Sequence, residues 1–231
     1  IITVGTPILR PSLKPNIDYV KNASVEVANV LKSGDLVILR STVPVGTTRD
    51  VVLPILEEKS GLVPVLQRWL SSNETDVLLI NGGVSGDTTV GGLERLDWLL
   101  TPDIDGVVVA LGGNDLLRGF DPVFTKNNLE KIFTQLKSKG ISAAVVGTIS
   151  PLNYGPEFKK EFDDIFPALA KEYGLFYVDS FFVPLVDKQT QQISINLLQN
   201  DGIHPNDKGV EAIVAYIGPV IKDFVKSLAQ F

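Results

Sequence analysis

The chain contains no cysteine, so it has no disulfide, no thiolate nucleophile and no cysteine-ligated metal. It has a single histidine, His204, which leaves little for a zinc centre; a metal would have to be held by oxygen ligands alone. Excess positive charge is missing too, since 21 Lys and Arg stand against 27 Asp and Glu, a net charge of −6. A phosphate-backbone partner wants a basic face, and nucleic acid is therefore not expected as a partner. Long apolar runs are absent: Gly, Pro or a charge interrupts each one well short of the ~20 residues needed to cross a bilayer, which excludes a membrane-spanning helix. There is no methionine, and Ile1-Ile2-Thr3-Val4 is not an initiator followed by a basic segment, so the sequence is expected to be a stretch of a longer reading frame.

What is present is ordinary globular material, 231 residues with 44% hydrophobic and 21% charged, enough for one sizeable core or two small ones. Short runs rich in β-branched residues alternate with stretches of helical period. Ile1–Val4, Leu36–Leu39, Val77–Ile80, Val107–Leu111, Ala143–Val146 and Leu175–Val178 are apolar almost throughout, as strands buried on both faces of a parallel sheet would be. Helices are expected near Asn16–Lys32, Thr48–Lys59, Val63–Leu70, Leu129–Lys139, Phe158–Glu172 and Asp207–Leu228. The last is the clearest, with Val210, Ile213, Val214, Ile217, Val220 and Ile221 at helical spacing and Asn206 placed to cap it. The alternation predicts an α/β fold, a three-layer α/β/α sandwich with a mainly parallel sheet whose ligands bind beyond the carboxyl ends of the strands.

Three strand ends carry chemistry. Gly82-Gly83-Val84-Ser85-Gly86-Asp87 follows Val77–Ile80, and its glycines leave backbone N–H groups free to face a ligand; a tight turn explains it equally well. Gly112-Gly113-Asn114-Asp115 follows Val107–Leu111 and puts an amide donor at the sheet edge, where it suits an oxyanion; a Gly-Asn turn with Asp115 capping the next helix is as good an account. Asp201-Gly202-Ile203-His204-Pro205-Asn206 opens the final helix. An Asp three residues before a His on one tight turn holds the imidazole tautomer and stabilises its charged form, which a general base for ester cleavage requires.

In order and spacing, Gly86, Asn114, Asp201 and His204 resemble blocks II, III and V of the SGNH (GDSL-like) hydrolase family, most closely its bacterial arylesterase, lysophospholipase and acyl-thioesterase branch. Val84-Ser85-Gly86-Asp87-Thr88, Leu111 through Gly119 and Asp201 through Asn206 look like that branch's own wording. The resemblance spans about residues 63–231 and implies the flavodoxin-like sandwich of that family. It also implies that Gly86 supplies a backbone N–H and Asn114 a side-chain donor to the oxyanion hole, with His204 as general base and Asp201 as its orienter. No cofactor is implied. Block I, a strand running into Gly-Asp-Ser-Leu with the nucleophilic serine, occurs nowhere in the sequence.

Residues 1–62 are similar instead to part of the UDP-glucose/UDP-N-acetylmannosamine dehydrogenase family, through Val4-Gly5-Thr6-Pro7, the helix around Tyr19–Leu31 and Gly34-Asp35-Leu36-Val37-Ile38 running into Ser41-Thr42-Val43-Pro44-Val45-Gly46. The dinucleotide Gly-x-Gly-x-x-Gly opening is missing, and that family's catalytic thiol is impossible here, so hydride transfer is not expected. The join is placed near Ser60-Gly61. The borrowed βαβα piece is expected to replace the first hydrolase block, with Leu36–Leu39 filling the vacated strand position and Ser41 emerging at the sheet edge as nucleophile; Ser41 as the polar end of a strand, capping the turn before Pro44, is the competing account. Three functions follow: hydrolysis of a small acyl ester or thioester; a catalytically impaired scaffold serving as a binding or assembly module; and, weakest because half of that site is missing, nucleotide-sugar binding by the N-terminal piece. A homodimer is expected because the extra strand Ile1–Val4 and the helix over 16–32 need cover.

Overall fold

The computed structural model describes residues 61–190 and 192–228, together with 14–28 and the short pieces 8–9, 47 and 51–52. The expected strands Ile1–Val4 and Leu36–Leu39, almost all of the expected helix Thr48–Lys59, and Ser41 lie outside the described residues. In the N-terminal part, β1 (Ile8–Leu9) pairs antiparallel with β2 (Lys14–Pro15), and α1 (Asp18–Ala28) buries Val20, Ser24 and Ala28, a stripe of i, i+4, i+8 spacing.

From residue 61 onward the chain runs α2 (Leu62–Ser72), α3 (Thr89–Leu99), β3 (Gly106–Val109), α4 (Gly113–Leu117), α5 (Pro122–Ser138), β4 (Ser142–Val146), α6 (Pro156–Asp163), α7 (Ile165–Tyr173), β5 (Phe176–Val178) and α8 (Asp207–Leu228). The strands form a parallel sheet in the order β3-β4-β5, with Val107 opposite Ala143 and Val145 opposite Tyr177. Side chains alternate across a strand, and β4 shows what that builds: Ala143 and Val145 join Leu129, Phe133 and Leu169 of α5 and α7, while Ala144 and Val146 join Leu66, Leu70, Ile217 and Ile221 of α2 and α8. Two apolar clusters on opposite faces of one sheet make the expected three-layer α/β/α arrangement.

Asp207–Leu228 is helical as expected, and the Asn206 carboxamide accepts from Gly209 N–H at 3.1 Å, the bond of an N-cap. Three expectations need correction. Val77–Ile80 is not a strand: no neighbour pairs with it among the described residues, and its polar backbone is met by one side chain, the Gln67 amide, which donates to Val77 O and accepts from Leu79 N–H, both at 2.7 Å. The stretch Phe158–Glu172 is two helices, α6 and α7, divided at Asp164. Finally, α5 begins seven residues before Leu129, because Asp121 accepts from Val123 N–H at 2.7 Å and Pro122 sits at the first helical position.

Candidate active site

The turn over residues 84–87 closes with Asp87 N–H donating to Val84 O at 3.2 Å, and Gly86 sits in it at φ +75°, a conformation open to glycine at little cost. The Gly86 N–H has no partner among the described residues. The carbonyls of this turn are taken from β3's side of the molecule. Gly112, at φ +107°, ends the run after β3 and opens the five-residue helix α4, from which Asn114 Nδ2 donates to Asp87 O at 2.9 Å, while Arg118 at its C-cap donates to Gly86 O at 2.8 Å. The sequence-predicted pair Gly86 and Asn114 is thus brought together. Asn114 spends one amide hydrogen on Asp87, and among the described residues the other has no partner.

Asp115 does not cap the helix it stands in. Wholly buried, it reaches across to α3, accepting from Thr89 N–H at 2.9 Å and from the Thr89 hydroxyl at 2.5 Å, with Thr125 Oγ1 at 3.4 Å. Thr88, at the N-cap position of α3, makes no capping bond of its own, so this carboxyl from another element satisfies the helix's first free N–H. The turn is also tied to α3 by an ion pair between Asp87 and Arg95. None of Thr89, Arg95 or Arg118 was singled out from sequence; Arg118 carries a signal there, a cation four residues after Asn114 and so on the same helical face.

The second predicted pair is also assembled. The loop before α8 is closed at its base by Gln199 N–H to His204 O at 2.7 Å and by Asn206 Nδ2 to Asn196 O and Leu198 O, both at 2.9 Å. Within it Asp201 Oδ1 accepts from the N–H groups of Ile203 (2.9 Å) and His204 (3.0 Å), an Asx-type turn, while Oδ2 lies 2.6 Å from His204 Nδ1. The His204 contact, followed by the two backbone donors, holds the Asp201 carboxyl down to about 2. A carboxylate that stays ionised only accepts, so His204 Nδ1 carries the hydrogen and Nε2 of the neutral ring presents its lone pair outward, the tautomer of a general base. A cavity of about 510 Å³ lined by Asn196, Gln199, Asn200 and Lys208 opens beside Asp201. No hydrogen bond among the described residues joins the 201–204 pair to the Gly86 and Asn114 pair. The described residues contain no group of three or more His, Asp or Glu placed to hold a metal, and no helix long and apolar enough to cross a membrane.

Residues 53–212 match the GDSL-like lipase/acylhydrolase family, and residues 1–73 match the NAD-binding domain of the UDP-glucose/GDP-mannose dehydrogenase family. Similar proteins include an arylesterase of Vibrio mimicus, 33% identical over 179 residues, 76% of this chain and 82% of that protein. Esterase TesA of Pseudomonas aeruginosa is 32% identical over 168 residues, 72% and 81% of the two chains. The structure of the psychrotrophic esterase EstA from Pseudoalteromonas, inhibited by monoethylphosphonate, superposes with a TM-score of 0.65 at 31% identity, covering 74% of this chain and 90% of that one. The N-terminal 62-residue match is 50% identical to UDP-N-acetyl-D-mannosamine dehydrogenase of Campylobacter jejuni but spans only 15% of that enzyme.

Proposed function

The chain belongs to the GDSL-like lipase/acylhydrolase family, and from that premise we propose that it hydrolyses carboxylic esters or thioesters through an acyl-enzyme. The observation that carries this is the Asp201–His204 pair, whose 2.6 Å contact leaves Nε2 as the outward-facing base. A serine hydroxyl attacks the acyl carbon and its proton passes to Nε2; the developing oxyanion accepts from Gly86 N–H and Asn114 Nδ2; collapse expels the alcohol or thiol, protonated by His204; water then attacks the acyl-enzyme with His204 again as base, and the second collapse breaks the acyl–Oγ bond, frees the acid and returns the proton from His204 to the serine oxygen. The assigned nucleophile is Ser41, which follows the expected strand Leu36–Leu39 by two residues. Exposed apolar side chains in the segments that follow the carboxyl ends of β3 and β4, Leu117 of α4 and Leu152, support an acyl or aryl substrate over a sugar or phosphate ester. The functional unit in this proposal is a homodimer.

A second account is favoured by one observation, the missing Gly-Asp-Ser-Leu block: without an attacking serine such a site retains only weak catalysis, on the order of 10³ over water. One experiment separates the two. The protein is incubated with a p-nitrophenyl ester and, in parallel, with a p-nitrophenyl phosphonate, and the covalent adduct is located by peptide mass spectrometry. A release burst lost in His204→Ala, with the adduct on the Ser41 peptide, is the expected result. Turnover that His204→Ala leaves untouched overturns the ester-hydrolase assignment, and an adduct on another serine moves the nucleophile alone.

A further inference from the structure

The Gly86 turn has little packing to hold it: a Cβ at Gly86 would meet nothing within 4 Å. An oxyanion donor in such a turn is useful only if its peptide is fixed in orientation before reaction, because stabilisation of a developing charge depends on donors already aimed at it. We propose that α4 is the clamp that supplies this fixity, with Asp115 and Arg118 as positioning residues for the Gly86 and Asn114 donors. The proposal rests on the oxyanion role given to those two groups.

Two side chains of the five-residue helix, with Arg118 at its C-cap, grip three residues of the turn and the start of α3. Arg118 donates to Gly86 O (2.8 Å), Asn114 to Asp87 O (2.9 Å), and Asp115 receives both the N–H and the hydroxyl of Thr89. The grips differ in kind. Arg118 is exposed and holds the carbonyl flanking the Gly86 peptide plane, so it sets orientation while contributing little to stability. Asp115 is fully buried, and the Thr89 hydroxyl that donates to it also accepts from Asn128 Nδ2 of α5 at 3.2 Å, which ties the clamp into the core. Because Asn114 stands on α4 beside Asp115 and one turn before the C-cap Arg118, its second amide hydrogen and the Gly86 N–H keep a fixed relation. Neither Asp115 nor Arg118 touches the reacting atoms in this scheme; each acts through the turn.

The test uses the full chain in three measurements: p-nitrophenyl butyrate kinetics, thermal unfolding, and the backbone order parameter of Gly86 in [15N]glycine-labelled protein, with Gly174 as remote control. Arg118→Ala is expected to lower kcat about tenfold, short of the 10²–10³ that loss of a donor itself costs, with KM and the melting temperature unchanged and partial recovery in Arg118→Lys. Asp115→Ala is expected to lower kcat and the melting temperature together, and to drop the Gly86 order parameter from a rigid value of about 0.85 towards 0.6 while Gly174 holds. Asp115→Asn, which keeps an oxygen for the Thr89 N–H, restores most of both. An unchanged Gly86 order parameter in both alanine variants overturns the clamp. So does a kcat that falls only as far as the folded fraction falls. If the unsubstituted protein shows no His204-dependent turnover, the ester-hydrolase assignment fails while the Gly86 order parameter still decides the clamp.

Discussion

At Asp201, hydrogen bonding becomes a pH prediction. The carboxyl is held at about 2 against an ordinary 3.8, so its contribution to stability is fully present above the higher value and is lost only as pH falls through about 2. Across any working range Asp201 is therefore a fixed negative charge beside the ring. A kcat/KM profile for an ester is expected to show no inflection from Asp201 in the ordinary carboxylate range; one there would mean that the carboxyl is not held down. Asp201→Asn keeps the size of the side chain but removes the obligate acceptor, and is expected to cut kcat by at least about 10² with little change in melting temperature. This pair was legible in the sequence because both residues lie in one six-residue turn, where spacing alone decides who can reach whom. Asp115 was not: its partner Thr89 is 26 positions away, and a local reading naturally makes it the cap of the helix that follows it, whereas it caps α3 from outside.

At the level of elements, legibility followed the neighbours each element has. The run Ala143–Val146 is an inner strand with a partner on each side, and it was predicted within one residue. Val77–Ile80 is just as apolar and fails to become a strand, since period and propensity specify half of a ladder and the other half must be supplied by another chain segment. The helix Thr89–Leu99 was missed for the opposite reason. Its first turn carries Gly91 and Gly92, the poorest helix formers after proline, and the gap in side-chain volume is used for close approach, Gly92 lying against Leu111. The Gln67 amide carries an unusual burden in consequence, standing in for a missing strand by bonding Val77 O and Leu79 N–H. Gln67→Ala is expected to destabilise the fold by about 1–3 kcal/mol, two hydrogen bonds' worth, read from the urea midpoint, and to speed amide exchange at Leu79 more than at Val145. Equal protection of Leu79 in both proteins would show that the segment is held by something else.

Across the whole molecule, the hydrolase-like stretch folds as its family match implies, yet among the described residues no strand lies beside the β3 edge of its sheet. Among the described residues β3 is paired only through β4, and Val108 is 39% exposed while Leu78 and Ile80 on the unpaired segment are 81% and 58% exposed. An apolar strand edge in water invites another strand. Of the strands expected before residue 61, Ile1–Val4 and Leu36–Leu39, we propose the second as the one that covers this edge, since that position would bring Ser41 towards the site. Because the chain has no cysteine, an engineered pair gives an unambiguous answer: Ile38→Cys with Val108→Cys is expected to form a disulfide within one chain under mild oxidation, since opposed residues of paired strands sit close enough to bridge. The dimer expectation is tested on the same samples. Light scattering at micromolar concentration should return twice the chain mass before oxidation, and a strictly monomeric mass overturns it. If Val108→Cys alone yields covalent dimers and the double variant gives no intrachain bridge, the edge is covered by a second copy; Ser41 then loses the strand that would deliver it, and the attacking group must be sought on the residues from 61 onward or in water activated by His204.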